Sequence, residues 1–258
     1  MFGLINTAHA AESISVKLAP YVVGYVGAFP VTATMLTTWL AMSLLVGFAV
    51  WQQRRLQLIP SKIQSITEVL VGGAYDYVVE TLESKTLAKK YFPVLMTIFL
   101  SLLVMNWVGL LPGVTSIGLY EGEGNGSQFT PLLYPPATDL NITIAFALVA
   151  VVVIQFAGIA ALGAFKYGGK FINFSSPLAF AVGLIELVSE IGRIISFAFR
   201  LFGNIFAGKV LLTVAIFFAP FILPVPILAY EVFVGFIQAG VFAFLTLIFI
   251  KLAVAQPH

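Results

Sequence analysis

Phe197-Ala198-Phe199-Arg200-Leu201-Phe202-Gly203-Asn204 sets a guanidinium in the middle of an apolar run that extends from about Ser176 to Ala219. The run is about twice the ~20 residues that carry an α-helix across a bilayer. An arginine at the centre of a membrane costs at least ~2.5–3.5 kcal/mol on insertion scales, and it cannot lose its proton to escape. No acidic residue stands one helical turn away on either side. Such a residue normally faces a partner or a water-filled cavity. The alternatives are a snorkelling side chain or a carboxylate elsewhere in the chain that neutralises it.

Composition agrees with a membrane protein. The chain is 60% hydrophobic and 9% charged, with a mean hydropathy of +1.04, which excludes a soluble globular domain. The net charge of +2 is too small to suggest a nucleic-acid partner. There is no cysteine, so disulfides, thiolate metal sites and thiol chemistry are excluded. His9 and His258 stand at the two ends, so no histidine metal site or triad is available inside the membrane. Neither a metal nor a cofactor is expected.

The residues predict an all-α polytopic membrane protein with five spans, near residues 31–51, 92–111, 142–165, 176–219 and 227–254. The fourth and fifth form a long helical hairpin broken by Pro220, Pro224 and Pro226. The fourth is too long to stand upright and must tilt, kink or extend past the bilayer. Residues 1–30 are read as an external arm, with Leu18, Tyr21, Val22, Tyr25 and Val26 suited to the interface. A signal peptide fits poorly, because no basic stretch precedes the short apolar run Phe2–Ile5. Residues 31–258 form one membrane domain. Within it, residues 60–90 carry Ile63, Ile66, Val69, Leu70, Val78 and Leu82 near helical spacing among acids. That pattern predicts an amphipathic helix on the membrane surface. Residues 122–127 are expected to be a flexible loop.

Arg54, Arg55, Lys62, Lys85, Lys89 and Lys90 lie between the first two spans, and Lys166 and Lys170 follow the third. The loop between spans two and three holds acids and no base. By the positive-inside rule these basic segments are cytoplasmic, the N-terminus is outside and the C-terminus is cytoplasmic.

At about 100° per residue, Glu186, Ser189, Arg193, Ser196, Arg200 and Asn204 share one helix face, extended by Gly203 and Ala207. Small and polar residues in a stripe allow close packing and hydrogen bonds between membrane helices. Glu190 and Arg193, three apart, suit an ion pair. The fifth span presents Glu231, Gly235 and Gln238 on one face. Arg200 and Gln238 sit near the midpoints of antiparallel helices, so similar depth is expected. Polar groups thus lead in from both surfaces towards a fixed cation. This suits an ion path interrupted in the middle, with the mobile carrier supplied by another subunit.

Ser196-Phe-Ala-Phe-Arg-Leu-Phe-Gly-Asn-Ile-Phe-Ala-Gly208 resembles the signature of subunit a of F-type ATP synthases. Thr138–Thr143, Asn106 in Leu102–Trp107, and Gln238 in Phe236–Ala239 extend the likeness from about residue 30 to the end. The resemblance implies a non-catalytic stator beside a rotating c-ring, held by peripheral-stalk b subunits and surrounded by lipid, in a bacterial inner membrane. Two offset half-channels would carry protons to and from the ring carboxylate, with Arg200 between them and Asn204, Gln238 and Ser196 close by. Glu231, Lys209, Asn106 and Asp139 fall to the external half-channel, and Glu186, Glu190, Arg193 and Ser189 to the cytoplasmic one. Many relatives have an acid where Lys209 stands and a histidine or other residue where Glu231 stands, so Glu231 is the better titrating candidate here. On an ideal wheel Lys209 points about 180° from Arg200, which leaves a Lys209–Glu231 pair open. Sodium coupling fits the same residues. A channel or secondary transporter predicts an internal repeat, which is not evident. An intramembrane hydrolase lacks a nucleophile–base pair.

Topology is directly testable because the chain has no native cysteine. Lys62→Cys and Lys170→Cys should react with an impermeant thiol reagent from the cytoplasmic side only, and Glu123→Cys and Val225→Cys from outside only. Labelling of positions 62 and 123 from one side would overturn the five-span arrangement.

Overall fold

A computed structural model describes residues 19–111, 113–121, 128–171, 176–220 and 222–255. The arm up to residue 18, the 122–127 loop and both histidines lie outside the described residues.

Five helices are long and apolar enough to cross a membrane: α1 (Ala33–Arg54), α3 (Lys85–Leu110), α4 (Leu140–Leu162), α6 (Pro177–Phe218) and α7 (Pro224–Val254). Between them lie α2 (Lys62–Leu82) and the short α5 (Ala164–Gly168). Helices dominate because lipid offers no partner for a free backbone amide. Their starts are marked by polar caps. Thr32, Ser61, Ser84, Asp139 and Ser176 each accept a backbone N–H of the first turn of α1, α2, α3, α4 and α6.

The expected spans are recovered with shifted boundaries. The surface helix anticipated over residues 60–90 ends at Leu82, because Glu83 turns into the left-handed region (φ 53°) and Ser84 caps a new helix. Lys85–Lys90 therefore open α3 rather than close α2. The third span stops at Leu162, where Gly163 has φ 82°. α6 is one unbroken helix of 42 residues, about 63 Å long at 1.5 Å per residue. That is twice the ~30 Å hydrocarbon core, so tilt or extension must absorb its length.

Two small hairpins were not foreseen. β1 (Val22–Val26) pairs antiparallel with β2 (Phe29–Thr32), with a register shift between Val22 and Gly24. β3 (Gly118–Glu121) pairs with β4 (Gln128–Pro131), the Tyr120 and Phe129 rings lying 5.3 Å apart. Both sit at the end of the bundle where α1, α4 and α7 begin. Arg54, Lys85, Lys166 and Lys251 mark the opposite, basic end.

α3 packs on α7, α4 on α6 and α7, and α1 on α3. The core joins Leu102, Met105, Ala147, Phe197, Leu201 and Phe242. A second cluster under α2 joins Val78, Leu82, Leu95, Ile154 and Leu247. Gly158 makes room for the Tyr167 ring, which a β-carbon there would hit.

At the hairpin end, Asp139 ties the start of α4 to the start of α1. Its Oδ2 accepts from the Thr34 hydroxyl at 2.7 Å, and its Oδ1 accepts from the Asn141 backbone N–H at 2.9 Å and the Asn141 side-chain amide at 3.1 Å. Thr37 accepts the Tyr134 backbone N–H at 2.9 Å. Asp139→Ala should lower stability by about 1–3 kcal/mol, through the lost cap and the lost bond to the Thr34 hydroxyl, which keeps its Thr32 partner. Asp139→Asn should cost less, and thermal unfolding of the purified protein in detergent reads both.

Candidate functional site

Arg200 projects from α6 on an exposed face, and among the described residues it has no ion pair or hydrogen bond. Its neighbours along that face are Ser189, Gly192, Ser196, Gly203 and Ala207, all exposed. Nothing lies within 4 Å of a β-carbon built at Gly192 or Gly203. This face is thus a shallow strip lined by small residues, with one permanent cation in it and no counter-charge among the described residues. Asn204, one turn on, is half-buried.

A neighbouring side of α6 meets α7 at a close approach. Gly208 faces the Glu231 carboxylate so tightly that a β-carbon at 208 would collide with it. Glu231 is 3% exposed. From that contact Arg200 lies eight residues back along α6 and Gln238 seven along α7, ~12 and ~10.5 Å at 1.5 Å per residue. The two are level, as expected. α3 holds this part of α7 through side chains: the Asn106 amide donates to the Gly235 carbonyl at 3.0 Å and the Trp107 indole N–H to the Val232 carbonyl at 3.1 Å. Asn106 Oδ1 and Gln238 Nε2 are buried polar atoms without a hydrogen-bond partner among the described residues.

A cavity of about 350 Å³ opens at the hairpin end between α3, α6 and α7. Asn106, Thr138, Lys209, Thr213 and Glu231 are among its lining residues. Three of the four residues assigned to the external path thus converge. Asp139 does not line the cavity and is engaged in the α1–α4 junction. Lys209 and Glu231 share the cavity without an ion pair: the Lys209 ammonium sits 3.2 Å from the centroid of the Tyr134 ring. Tyr134 is buried, and burial pushes its hydroxyl up to about 12, so the ring stays neutral and offers the lysine an intact π face.

At the basic end the other candidates separate from Arg200. Arg193 Nη1 donates to both oxygens of buried Glu190, at 2.8 and 2.7 Å, and its guanidinium lies 4.0 Å from the Phe249 ring centroid on α7. Glu186 pairs with Lys170. Arg193 and Glu186, placed on the Arg200 face by an ideal wheel, are thus drawn towards α7 and the α5–α6 connection. Ser189 alone of this group stays exposed on the strip. Tyr167 lies close to these charges, its hydroxyl donating to Gln155 Oε1 at 2.7 Å. Burial, with the Glu190 charge next, raises the Tyr167 hydroxyl and keeps it a donor.

Tyr134, Tyr167, Gln155 and Thr138 were missed as candidates. A single aromatic or amide in an apolar run carries no periodic signal, and only the fold brings these side chains to the charged groups.

A family model for the ATP synthase A chain matches residues 35–251. A protein named ATP synthase subunit a from Citrifermentans bemidjiense is 34% identical over 224 residues, 86% of this chain and 87% of that one. Its namesake from Gloeobacter violaceus is 35% identical over 226 residues, 86% and 83% of the two chains. The one from Moorella thermoacetica is 30% identical over 231 residues, 90% and 94%.

The Gly208–Glu231 contact makes a local prediction. In Gly208→Ala the new methyl group displaces the flexible carboxylate rather than the helix. Stability should fall by less than about 1.5 kcal/mol, while Glu231 becomes several-fold more reactive to a water-soluble carbodiimide. Peptide mass mapping reads the modification, and unchanged reactivity would mean that the carboxylate does not occupy this niche.

Proposed function

The chain belongs to the ATP synthase A chain family, and we propose that it is the proton-conducting stator subunit of a rotary F-type ATP synthase. The observation that carries this reading is Arg200: an exposed guanidinium at mid-helix, without a pair among the described residues, on a strip of small residues that another helix surface can approach closely. The partner that fits is a ring of c subunits, each bringing a carboxylate to the level of Arg200.

The chemistry follows from the charge. A ring carboxylate that reaches Arg200 is held ionised by the adjacent cation. It must take up a proton before it can turn into lipid, since a bare carboxylate in hydrocarbon is prohibitively costly. The cavity with Glu231, Asn106 and Lys209 supplies that proton from the external side, in the orientation the basic segments favour. Release on the cytoplasmic side runs past Ser196 and Ser189 towards Glu190, Arg193 and Glu186. Arg200 never releases its own proton, so no proton hops straight between the two paths and flux requires the ring to turn. Gln238, level with Arg200, has an amide donor without a partner among the described residues, and it helps to orient the ring carboxylate. The peripheral-stalk b subunits restrain the stator, and a bacterial inner membrane is the proposed location.

Arg200→Ala should leave the complex assembled and reduce proton-driven ATP synthesis in vesicles at least roughly 100-fold, the scale of losing one preorganised charge. Arg200→Lys should also fail, because an ammonium can deprotonate and lacks the planar fork. Wild-type synthesis should stop with a protonophore and ignore Na⁺. A requirement for Na⁺ would assign the ion as sodium, and normal coupled synthesis by Arg200→Ala would overturn the mechanism.

A further inference from the structure

We infer that the face where α2, α3 and α7 meet near the basic end is a binding site for one anionic phospholipid. Lys85, Lys89, Phe92, Met96 and Phe99 follow one another on α3 at spacings of four, three, four and three, which puts them in a single line along the helix. The line changes from ammonium to aromatic within one turn, as a phospholipid changes from phosphate to chain.

The headgroup end is a concavity formed by Tyr75, Lys85, Thr86, Lys89 and Lys90. All three lysines are exposed, and none has an ion pair among the described residues. The acids nearest in sequence do not serve them: Glu83 is bonded to Lys251 at 2.7 Å, and Asp76 and Glu80 on α2 make no pair with them. Three ammonium groups at the first two turns of a helix also stand at the positive end of its dipole. The arrangement gains from an external anion.

The chain end is an apolar groove of about 210 Å³ between α2, α3 and α7, bounded by Tyr77, Phe92, Met96, Phe99, Gly240 and Phe244. The Tyr75 ring, from the concavity, stands edge-on to Phe92, from the groove, at 5.2 Å. The concavity and the groove are therefore neighbours along α3, with this ring pair at their junction. The Phe99–Phe236 ring contact at 6.0 Å closes the far end, and beyond it Leu103 and Asn106 are buried. From Lys89 to Phe99 is ten residues, ~15 Å along the axis, or half of the ~30 Å hydrocarbon core. A crossing protein helix would need the groove to continue through the whole membrane. An acyl chain of one leaflet needs only this half.

The test uses the purified complex that contains the chain, stripped of lipid in detergent, with phosphatidylglycerol bearing a photoreactive group in its acyl chain. Labelling should map to residues 92–99 and 240–247, and phosphatidylglycerol should compete while phosphatidylcholine does not. Lys85→Gln/Lys89→Gln/Lys90→Gln should weaken the site roughly 100-fold, from ~1 kcal/mol per basic residue. Gly240→Leu fills the groove and leaves the lysines in place; its first carbon makes only ordinary contact with Phe99, at 4.0 Å. It should abolish labelling with subunit composition unchanged. If the triple variant does not assemble, Lys89→Gln with a roughly five-fold loss replaces it. Labelling unchanged in the variants, equal competition by phosphatidylcholine, or crosslinking of another subunit at Met96→Cys in place of lipid would each overturn the site.

Discussion

The seam between α6 and α7 is fixed by a side chain occupying the place of another. Glu231 fills the space that any residue but glycine would take at position 208, and from that single contact the depth of everything else on the two helices follows. Arg200 and Gln238 come level, and Phe197 meets Phe242 with ring centroids 4.8 Å apart. The face of α6 that neither α4 nor α7 covers becomes the outward strip. A bulkier residue at 208 would not merely loosen packing. It would eject the Glu231 carboxylate from the hairpin-end cavity.

The charged groups fall into two structural kinds. Glu190–Arg193 is bidentate and largely sheltered, so each charge satisfies the other and removing one partner strands the other, which costs ~3–5 kcal/mol. Glu186–Lys170 and Glu83–Lys251 are more open to solvent, where ion pairs contribute little. Arg200 belongs to neither kind. Among the described residues nothing pairs with it, and a charge so placed in an apolar helix is best completed by something outside the chain.

Much of this was legible before any coordinates. Five spans follow from unbroken apolar runs, because hydrocarbon imposes length and composition directly. The Arg200–Gln238 level follows from counting residues inward along antiparallel helices. Side-chain azimuth was less legible. An ideal wheel put Arg193 and Glu186 beside Arg200, whereas Phe249 and Lys170 draw them aside. The resemblance put Asp139 on the external path, and sequence carries no sign that its oxygens also accept from Thr34 and Asn141 at the α1–α4 junction. The hairpins β1–β2 and β3–β4 escaped because two short strands have too few alternating positions to stand out beside helical runs.

The seat of Lys209 on Tyr134 has a consequence for the stability of the cavity wall. A lysine anchored by a carboxylate would drift each time that carboxylate took up or lost a proton. An aromatic face titrates far outside the working range and exerts the same pull throughout. The ammonium is thus moored to a ring whose pull does not depend on the charge of Glu231, and among the described residues Lys209 and Glu231 share the cavity without an ion pair.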